Sequence, residues 1–456
     1  MKNLIIPFEA RLNEIHDESL YTDYANSHSA PTNDFEVSQI IKECKNIGEK
    51  ITVCGSLTGL NGAAVPSKGH SLSTINLKDI EYNEIDNTIR IGSGTTFEEL
   101  EKIILIKSKG KREFPVSPTE KTATIGGAIS FNSSGLRSYR LGNVIDYVEK
   151  IKVCDQNGNI LIINKNDESF KDFVGSEGML GIIVEVTLKT IIKKNSAWGI
   201  MFFFESNEDC TNFINYCESF NQIQAIEYVD KNCFKITEKY KNIMSNLEAI
   251  PSVDDKFACS LYLEIYGNNE EEIEDIAEKL MEKSIEYNSD PDIAWVVSQE
   301  EMIKLQSLRH AITECFNMEV AKYNNQDSRI KLVNIDIKWI SKNKLEILNY
   351  YTDILKETNL DYIIYGHIGS NAPYVNILTK TIDEYLLANK IVEICYKDAI
   401  MEGNLILSEF GVGKLKNNIY CNTERIDVIN KKMKAKQKYD YNNLFNPTNM
   451  FSKKEL

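Results

Sequence analysis

C-G-S-L-T-G-L-N-G-A-A-V-P stands at residues 54 to 66, at the end of the run I-T-V-C-G at 51 to 55. The run reads as a buried strand, and the glycines after it let backbone N–H groups converge on an anion, most often a pyrophosphate. One such turn says little. The same chemistry returns in F-P-V-S-P-T-E-K-T-A-T-I-G-G-A-I-S-F-N-S-S-G at 114 to 135, and again in G-S-E-G-M-L-G-I-I at 175 to 183. Three small-residue loops, in order and separated by strand-like segments, are hard to explain as surface turns. They point to one dinucleotide held by backbone amides.

Outward from these loops, residues 36–47 carry apolar side chains at helical spacing, and a short helix is expected at 96–109. Strand-like pieces lie at 71–77, 88–92, 148–155 and 160–164, and the end of the third loop alternates like a strand. Gly, Ser and Asn crowd residues 122–142, which read as an ordered loop packed against its neighbours. From 201 the pattern changes. Strands at 201–206, 225–229, 260–267 and 292–297 alternate with helices at 207–220 and 269–287, the β-α-β-β-α-β order of a ferredoxin-like sheet. A helix around 299–320, strands at 361–365 and 374–379, a helix at 381–402 and the turn L-F-N-P-T-N-M-F complete the chain.

The 456 residues suffice for two or three domains, and 42% hydrophobic with 26% charged residues is a globular balance. A formal charge of -15 and a pI near 5.1 argue against nucleic acid and anionic lipid as partners. No apolar run approaches the ~20 residues of a membrane span, and the N-terminus lacks a signal-peptide cleavage site, so a cytoplasmic location is expected. Ten cysteines scattered without a CxxC pair read as reduced, packed thiols and argue against an iron–sulfur cluster.

The three loops taken jointly resemble the FAD-linked oxidases of the vanillyl-alcohol-oxidase superfamily, the group that includes D-lactate dehydrogenase, the glycolate oxidase FAD subunit and D-2-hydroxyglutarate dehydrogenase. The likeness runs through L-G-N-V-I-D-Y-V at 141–148 to Phe445-Asn446-Pro447 and covers nearly the whole chain. It implies an α+β fold, with a two-subdomain PCMH-type FAD lobe over residues 1–190. A cap with a ferredoxin-like sheet over 191–415 would cover the isoalloxazine, and 416–456 would return to the FAD lobe. The substrate is expected between the lobes. By the resemblance, Gly55, Ser56, Leu57, Thr58 and Gly59 lie at the FAD diphosphate. Pro118, Thr122, Gly126, Gly127, Asn132, Ser133 and Gly135 line the diphosphate and flavin. Gly178, Gly181 and Ile183 lie on the adenine and ribose side, and Asn446 approaches the isoalloxazine. FAD is expected to be noncovalent. His70, the one histidine near the first loop, reads as an exposed turn residue.

Relatives that oxidise 2-hydroxy acids carry G-H-x-G-D-G-N-x-H and G-E-H-G-x-G, whose histidines and glutamate supply a divalent metal site and a base. Here the motifs read G-H-I-G-S-N-A-P-Y at 366–374 and S-E-F-G-V-G at 408–413. His367 and Glu409 remain, but Tyr374 and Phe410 stand where histidines are expected. One His with one Glu is a poor divalent site, and Phe takes no proton. No metal is therefore expected. Arg309 matches a position that relatives use on a substrate carboxylate, with a solvated helix arginine as its bland reading, and of the K-Y-D-x-S-x-P motif only Asp336 survives.

The resulting expectation is an FAD-dependent dehydrogenase or oxidase of a small organic substrate other than a simple 2-hydroxy acid, with Tyr374, His367, Glu409 and Arg309 as catalytic candidates. A D-2-hydroxy-acid dehydrogenase with a rearranged base, a non-turnover electron-transfer subunit and a flavin-dependent transferase are the alternatives. The electron acceptor stays open between an acceptor protein, a quinone and oxygen, and a homodimer is the default assembly.

Overall fold

The computed structural model describes residues 6–7, 14–116, 118–248 and 250–451. The chain forms two compact units. The first holds 1–134, 143–193 and 407–456, and the second holds 135–142 and 194–406.

In the first unit, β1 (Ile6–Pro7), β2 (Ser27–Ser29), β3 (Ile51–Cys54) and β4 (His70–Ser73) make a sheet of order β1-β2-β4-β3. Helix α1 (Asp34–Ile47) covers it. It starts two residues earlier than its apolar spacing suggests, because the Asn33 side chain accepts the Glu36 N–H as cap, and it stops where Gly48 turns left-handed at φ 75°. Its buried stripe Val37, Ile40, Ile41 and Cys44 shares a core with Ile51, Leu72, Ile182 and Phe445. The turn that contains Phe445 joins the sheet edge: the Ile51 N–H donates to Leu444 O and the Asn446 N–H to Ile51 O, both at 2.8 Å.

His70 corrects the sequence reading. It is fully buried on β4, with Ser27 Oγ 2.8 Å from Nδ1 and Ser29 Oγ 2.7 Å from Nε2. Parallel pairing sets Ser27 beside His70, and the two hydroxyls satisfy a ring that a turn would have left to water.

A second, antiparallel sheet of the first unit contains β5 (Ile80–Asn83), β6 (Thr88–Gly92), β7 (Val148–Cys154), β8 (Ile160–Asn164) and β9 (Ile182–Lys189), in the order β8-β7-β9-β6-β5. Between its strands lie α2 (Phe97–Lys107) and α3 (Ile125–Phe131). The second glycine-rich stretch therefore contains a helix, capped by the Thr124 hydroxyl.

The second unit is built on one antiparallel sheet. Strands β10 (Ser196–Phe204), β11 (Ile223–Asp230), β12 (Cys259–Gly267) and β13 (Trp295–Ser298) lie in the ferredoxin-like order β13-β10-β12-β11, with α4 (Asn207–Cys217) and α6 (Glu270–Ile285) as crossovers. Helix α5 (Lys231–Tyr240), unforeseen, follows β11. The M-F-F-F run of β10 is buried on both faces. Phe202 and Phe204 stack on Phe213 of α4, while Met201 and Phe203 join Leu305, Leu308 and Ala311 of α7 (Met302–Asn324). The sheet runs on past the ferredoxin-like core, through β15 (Asp361–His367) and β16 (Ala372–Leu378) to β14 (Val333–Ile335), so that β15 pairs with β11.

Candidate active site

Two constellations carry chemistry, one in each unit. In the first unit the glycine loops interlock. A Cβ on Gly55 would overlap Thr124 Oγ1, which sits at the head of α3. One on Gly126 would lie 2.7 Å from Ser93 Cβ, one on Gly178 2.7 Å from Asn446 Nδ2, and one on Gly181 2.7 Å from Val153 Cγ1. These glycines are required by close approach of backbone to neighbour, whatever the ligand. Ser56 Oγ, Asn132 Oδ1 and Ser134 Oγ are buried with no partner among the described residues. Leaving such a group unsatisfied costs about 1–3 kcal/mol, so orphaned acceptors and hydroxyls on adjacent loops are the mark of a polar guest. The cradle therefore fits FAD.

Leu57 takes φ 61° at the crest of the first loop, and Thr58 and Gly59 follow it half-buried. Pro118, Gly127 and Ser133 are half-buried, whereas Thr122 is exposed and its hydroxyl bonds Glu120. Gly135 gives its N–H to Ser138 Oγ at 2.8 Å and opens the stretch that clusters with the second unit. Ile183 is buried on β9. Asn446 is used up within the protein: Oδ1 accepts the Val53 N–H at 2.8 Å, and Nδ2 donates to Glu177 O at 2.7 Å.

Glu177, a residue of the third loop unremarked in the sequence, organises this region. It is buried, left-handed at φ 52°, and each carboxylate oxygen accepts one backbone N–H, from Val412 at 2.6 Å and Gly413 at 2.7 Å. Burial pushes its carboxyl up, against those hydrogen bonds and the Lys432 and Lys414 charges. Asn61 Nδ2 donates to Phe410 O at 2.9 Å, and Lys414 Nζ donates to Gly62 O and Ala63 O at 3.2 Å. The segment that carries Glu409 and Phe410, both half-buried, is thus laced to the first and third loops.

In the second unit, β15 and β16 present His367, Tyr365 and Tyr374, and α7 presents Arg309. The antiparallel register sets Tyr228 opposite Gly366, which brings Glu227 of β11 across from His367. Glu227 Oε1 lies 2.5 Å from His367 Nδ1, and Oε2 accepts from Arg309 Nε at 2.9 Å. Arg309 is 4% exposed, so the solvated-arginine reading fails. Burial alone would raise the Glu227 carboxyl, but the His367 and Arg309 charges outweigh it and hold the group below its ordinary range. Tyr374 packs edge-on against His367 (ring centroids 5.4 Å apart) and Tyr365 (5.7 Å), and the Arg309 guanidinium lies 4.6 Å from the Tyr365 ring centre. Gly366, at φ 102°, leaves no room for a Cβ, which would meet Tyr374 Cδ2 at 2.9 Å. Among the described residues no group of three or more His, Cys, Asp or Glu is placed to hold a metal ion.

Glu227 escaped the sequence reading, although a lone carboxylate in the apolar strand A-I-E-Y-V was a usable signal. A strand buried on both faces tolerates a charge only with a partner.

Residues 29–164 match the FAD binding domain family, and residues 196–450 match the C-terminal domain of the FAD linked oxidases. The chain is 25% identical over 430 residues to the D-lactate dehydrogenase of Anaerostipes hadrus, covering 90% of this chain and 86% of that one. It is 25% identical over 446 residues to glycolate oxidase subunit GlcD of Bacillus subtilis, covering 93% and 88%. In fold it is similar to alkyldihydroxyacetonephosphate synthase, with a TM-score of 0.68 at 15% identity over 98% of this chain and 82% of that one. Among the described residues no helix is long and apolar enough to cross a membrane. With both family domains matched in sequence order and an interlocked three-loop cradle in the first unit, the chain belongs to the FAD-linked oxidase family and is an FAD-dependent oxidoreductase.

Proposed function

We propose that this chain is a dehydrogenase or oxidase of a small organic substrate that needs no divalent metal, and that it is not a simple 2-hydroxy-acid dehydrogenase. The observation that carries this reading is the pair Tyr374 and Phe410, which by the resemblance of the two motifs stand where 2-hydroxy-acid relatives are expected to carry histidine. Removing hydride from an unactivated alcohol carbon requires the hydroxyl proton to leave too, and a metal or strong base normally arranges that. The residues left, His367, Arg309, Tyr374 and Glu409, suit a substrate whose own O–H or N–H is already acidic, such as a phenol. Bound FAD supplies the two-electron acceptor chemistry. Ser56, Asn132, Ser133 and Ser134, with the amides of the three loops, would hold it. Noncovalent binding is supported by His70, whose ring nitrogens both lie against serine hydroxyls on a buried strand.

Likeness to D-lactate dehydrogenase and to GlcD, together with retained His367 and Arg309, favours a second reading, oxidation of a D-2-hydroxy acid with an altered base. Metal analysis and anaerobic flavin bleaching separate the two. The first reading expects less than a tenth of a zinc or manganese per chain and no bleaching by D-lactate, glycolate or D-2-hydroxyglutarate. One tightly held metal per chain, or rapid bleaching by any of these acids, overturns it. Acid precipitation should release the flavin into the supernatant; retention in the pellet would refute noncovalent binding.

A further inference from the structure

Helix α8 (Ile382–Met401), in the second unit, is apolar on two faces, and only one is covered among the described residues. Ala388, Ile391, Val392, Cys395, Tyr396 and Ala399 are buried. The outward face carries Leu386, Leu387, Ile394 and Met401. Just past its end Leu405 pairs with Lys338, and Ile340 gives its N–H to Asn404 Oδ1 at 2.6 Å. The side chains of these four residues, with Leu405 and Ile340, are 41% to 77% exposed. A helix that is apolar all round is the pattern of one covered all round, and monomeric chains rarely leave so continuous an apolar stripe in water. Leu387, Ile394 and Met401 recur at intervals of seven, over ~21 Å of helix, the spacing that keeps one line of side chains against a partner helix. The stripe is also symmetric about Ile394. Leu387 and Met401 each stand seven positions from it, and Lys390 and Asp398 each stand four. Lys397 and Glu393 pair with each other at 2.7 Å, whereas neither Lys390 nor Asp398 is in an ion pair among the described residues. Asp398 accepts the Tyr350 hydroxyl at 2.8 Å.

We infer that α8 is the centre of an isologous dimer, in which the helices of two copies of this chain pack antiparallel about a two-fold axis at Ile394. About such an axis, a residue before Ile394 faces the residue equally far after it in the second copy. Ile394 then packs on itself and Leu387 on Met401 at both ends. Lys390 of each copy comes within a side chain's reach of Asp398 of the other, so two charges left over in one chain pair across the axis. Parallel helices would instead set Lys390 against Lys390 and Asp398 against Asp398, and like charges face to face are unfavourable. A foreign partner has no need of the symmetry; a second copy requires it. None of these residues belongs to the flavin cradle or to the Glu227 cluster, so the dimer and the reaction stand or fall separately.

Sedimentation equilibrium of the FAD-loaded chain at up to about 100 µM should give twice the 52.0 kDa of one chain. Ile394→Glu, at an exposed position, sets two carboxylates face to face on the axis. It should weaken association by about 100-fold or more while leaving flavin content and thermal midpoint unchanged. Cysteine cross-linking reads the register. Ile394→Cys should link to itself under mild oxidation, and Leu387→Cys and Met401→Cys should fail alone but link when mixed. Nine of the native cysteines are buried, which keeps the background low. A chain that stays at 52.0 kDa at about 100 µM overturns the assignment. So does a dimer untouched by Ile394→Glu, which would form through another face. Self-linking of Leu387→Cys would mean parallel helices and overturns it equally. Monomers that bind neutral lipid vesicles, and lose that binding in Ile394→Glu, would make the stripe a lipid face and overturn it too.

Discussion

Replacing Glu177 by glutamine tests whether the third glycine loop is held by geometry or by charge. Burial already raises this carboxyl, so a neutral amide is not in itself the worst replacement. Geometry is the harder constraint. Two successive backbone N–H groups, of Val412 and Gly413, point at two acceptor oxygens. Glutamine offers one acceptor and sets an NH2 against the other N–H. One hydrogen bond to a charged acceptor is lost, at about 1.5–3 kcal/mol, and a buried donor is left unpaired, at about 1–3 kcal/mol. Lys414 and Lys432 lose their nearby anion as well. A total of about 3–5 kcal/mol is the range for breaking a buried pair on one side. With a urea slope of about 2–3 kcal/mol per molar, the transition should move down by about 1–2 M. Flavin fluorescence, quenched in the protein and released on opening, follows this region directly. A release midpoint within about 0.3 M of wild type would refute the view that Glu177 clamps the 408–413 segment to the cofactor loop, since an error that large in the slope is not plausible.

Gly366→Ala should cost about 2–4 kcal/mol, because left-handed backbone and a Cβ 2.9 Å from Tyr374 act together; an unchanged thermal midpoint would show that the β15–β16 register is wrong. His70 predicts a pH dependence. Burial pulls its imidazole down to about 4 from 6.5, so the unfolded chain binds the extra proton and stability falls as pH drops from 6.5 to 4, by on the order of 3 kcal/mol. Asp17, raised to about 6 by burial, works oppositely: its contribution is lost as pH rises from 3.8 to 6. The difference in unfolding free energy between wild type and His70→Gln isolates the histidine, and should grow steadily from pH 4 to 6.5; a flat difference would contradict the burial argument.

The three loops were legible because a glycine's requirement is local: positive φ or a missing Cβ shows in the residue itself. The helices with apolar stripes were legible for the same reason, and the Asn33 cap accounts for the earlier start of the first. What stayed hidden were polar residues whose meaning lies in a distant partner. The C-terminal helix Ile426–Tyr439 is rich in lysine, yet Lys436 is buried. Its Nζ donates to Asp440 at 2.7 Å, Met179 O at 2.9 Å and Phe445 O at 2.8 Å. Those carbonyls belong to the third loop and the last turn, and no window of sequence contains all of them. His70, Glu177 and Glu227 repeat the lesson. Each is a charged or titratable group in an apolar or glycine-rich run, where solvation cannot stabilise it and a counter-group must. A sequence reading that asks, of every such residue, which distant donor or acceptor satisfies it would have paired Glu227 with His367 or Arg309 before any coordinates. The few buried cations of an acidic chain leave a short list of candidates, and the retained half of a motif is the natural place to begin.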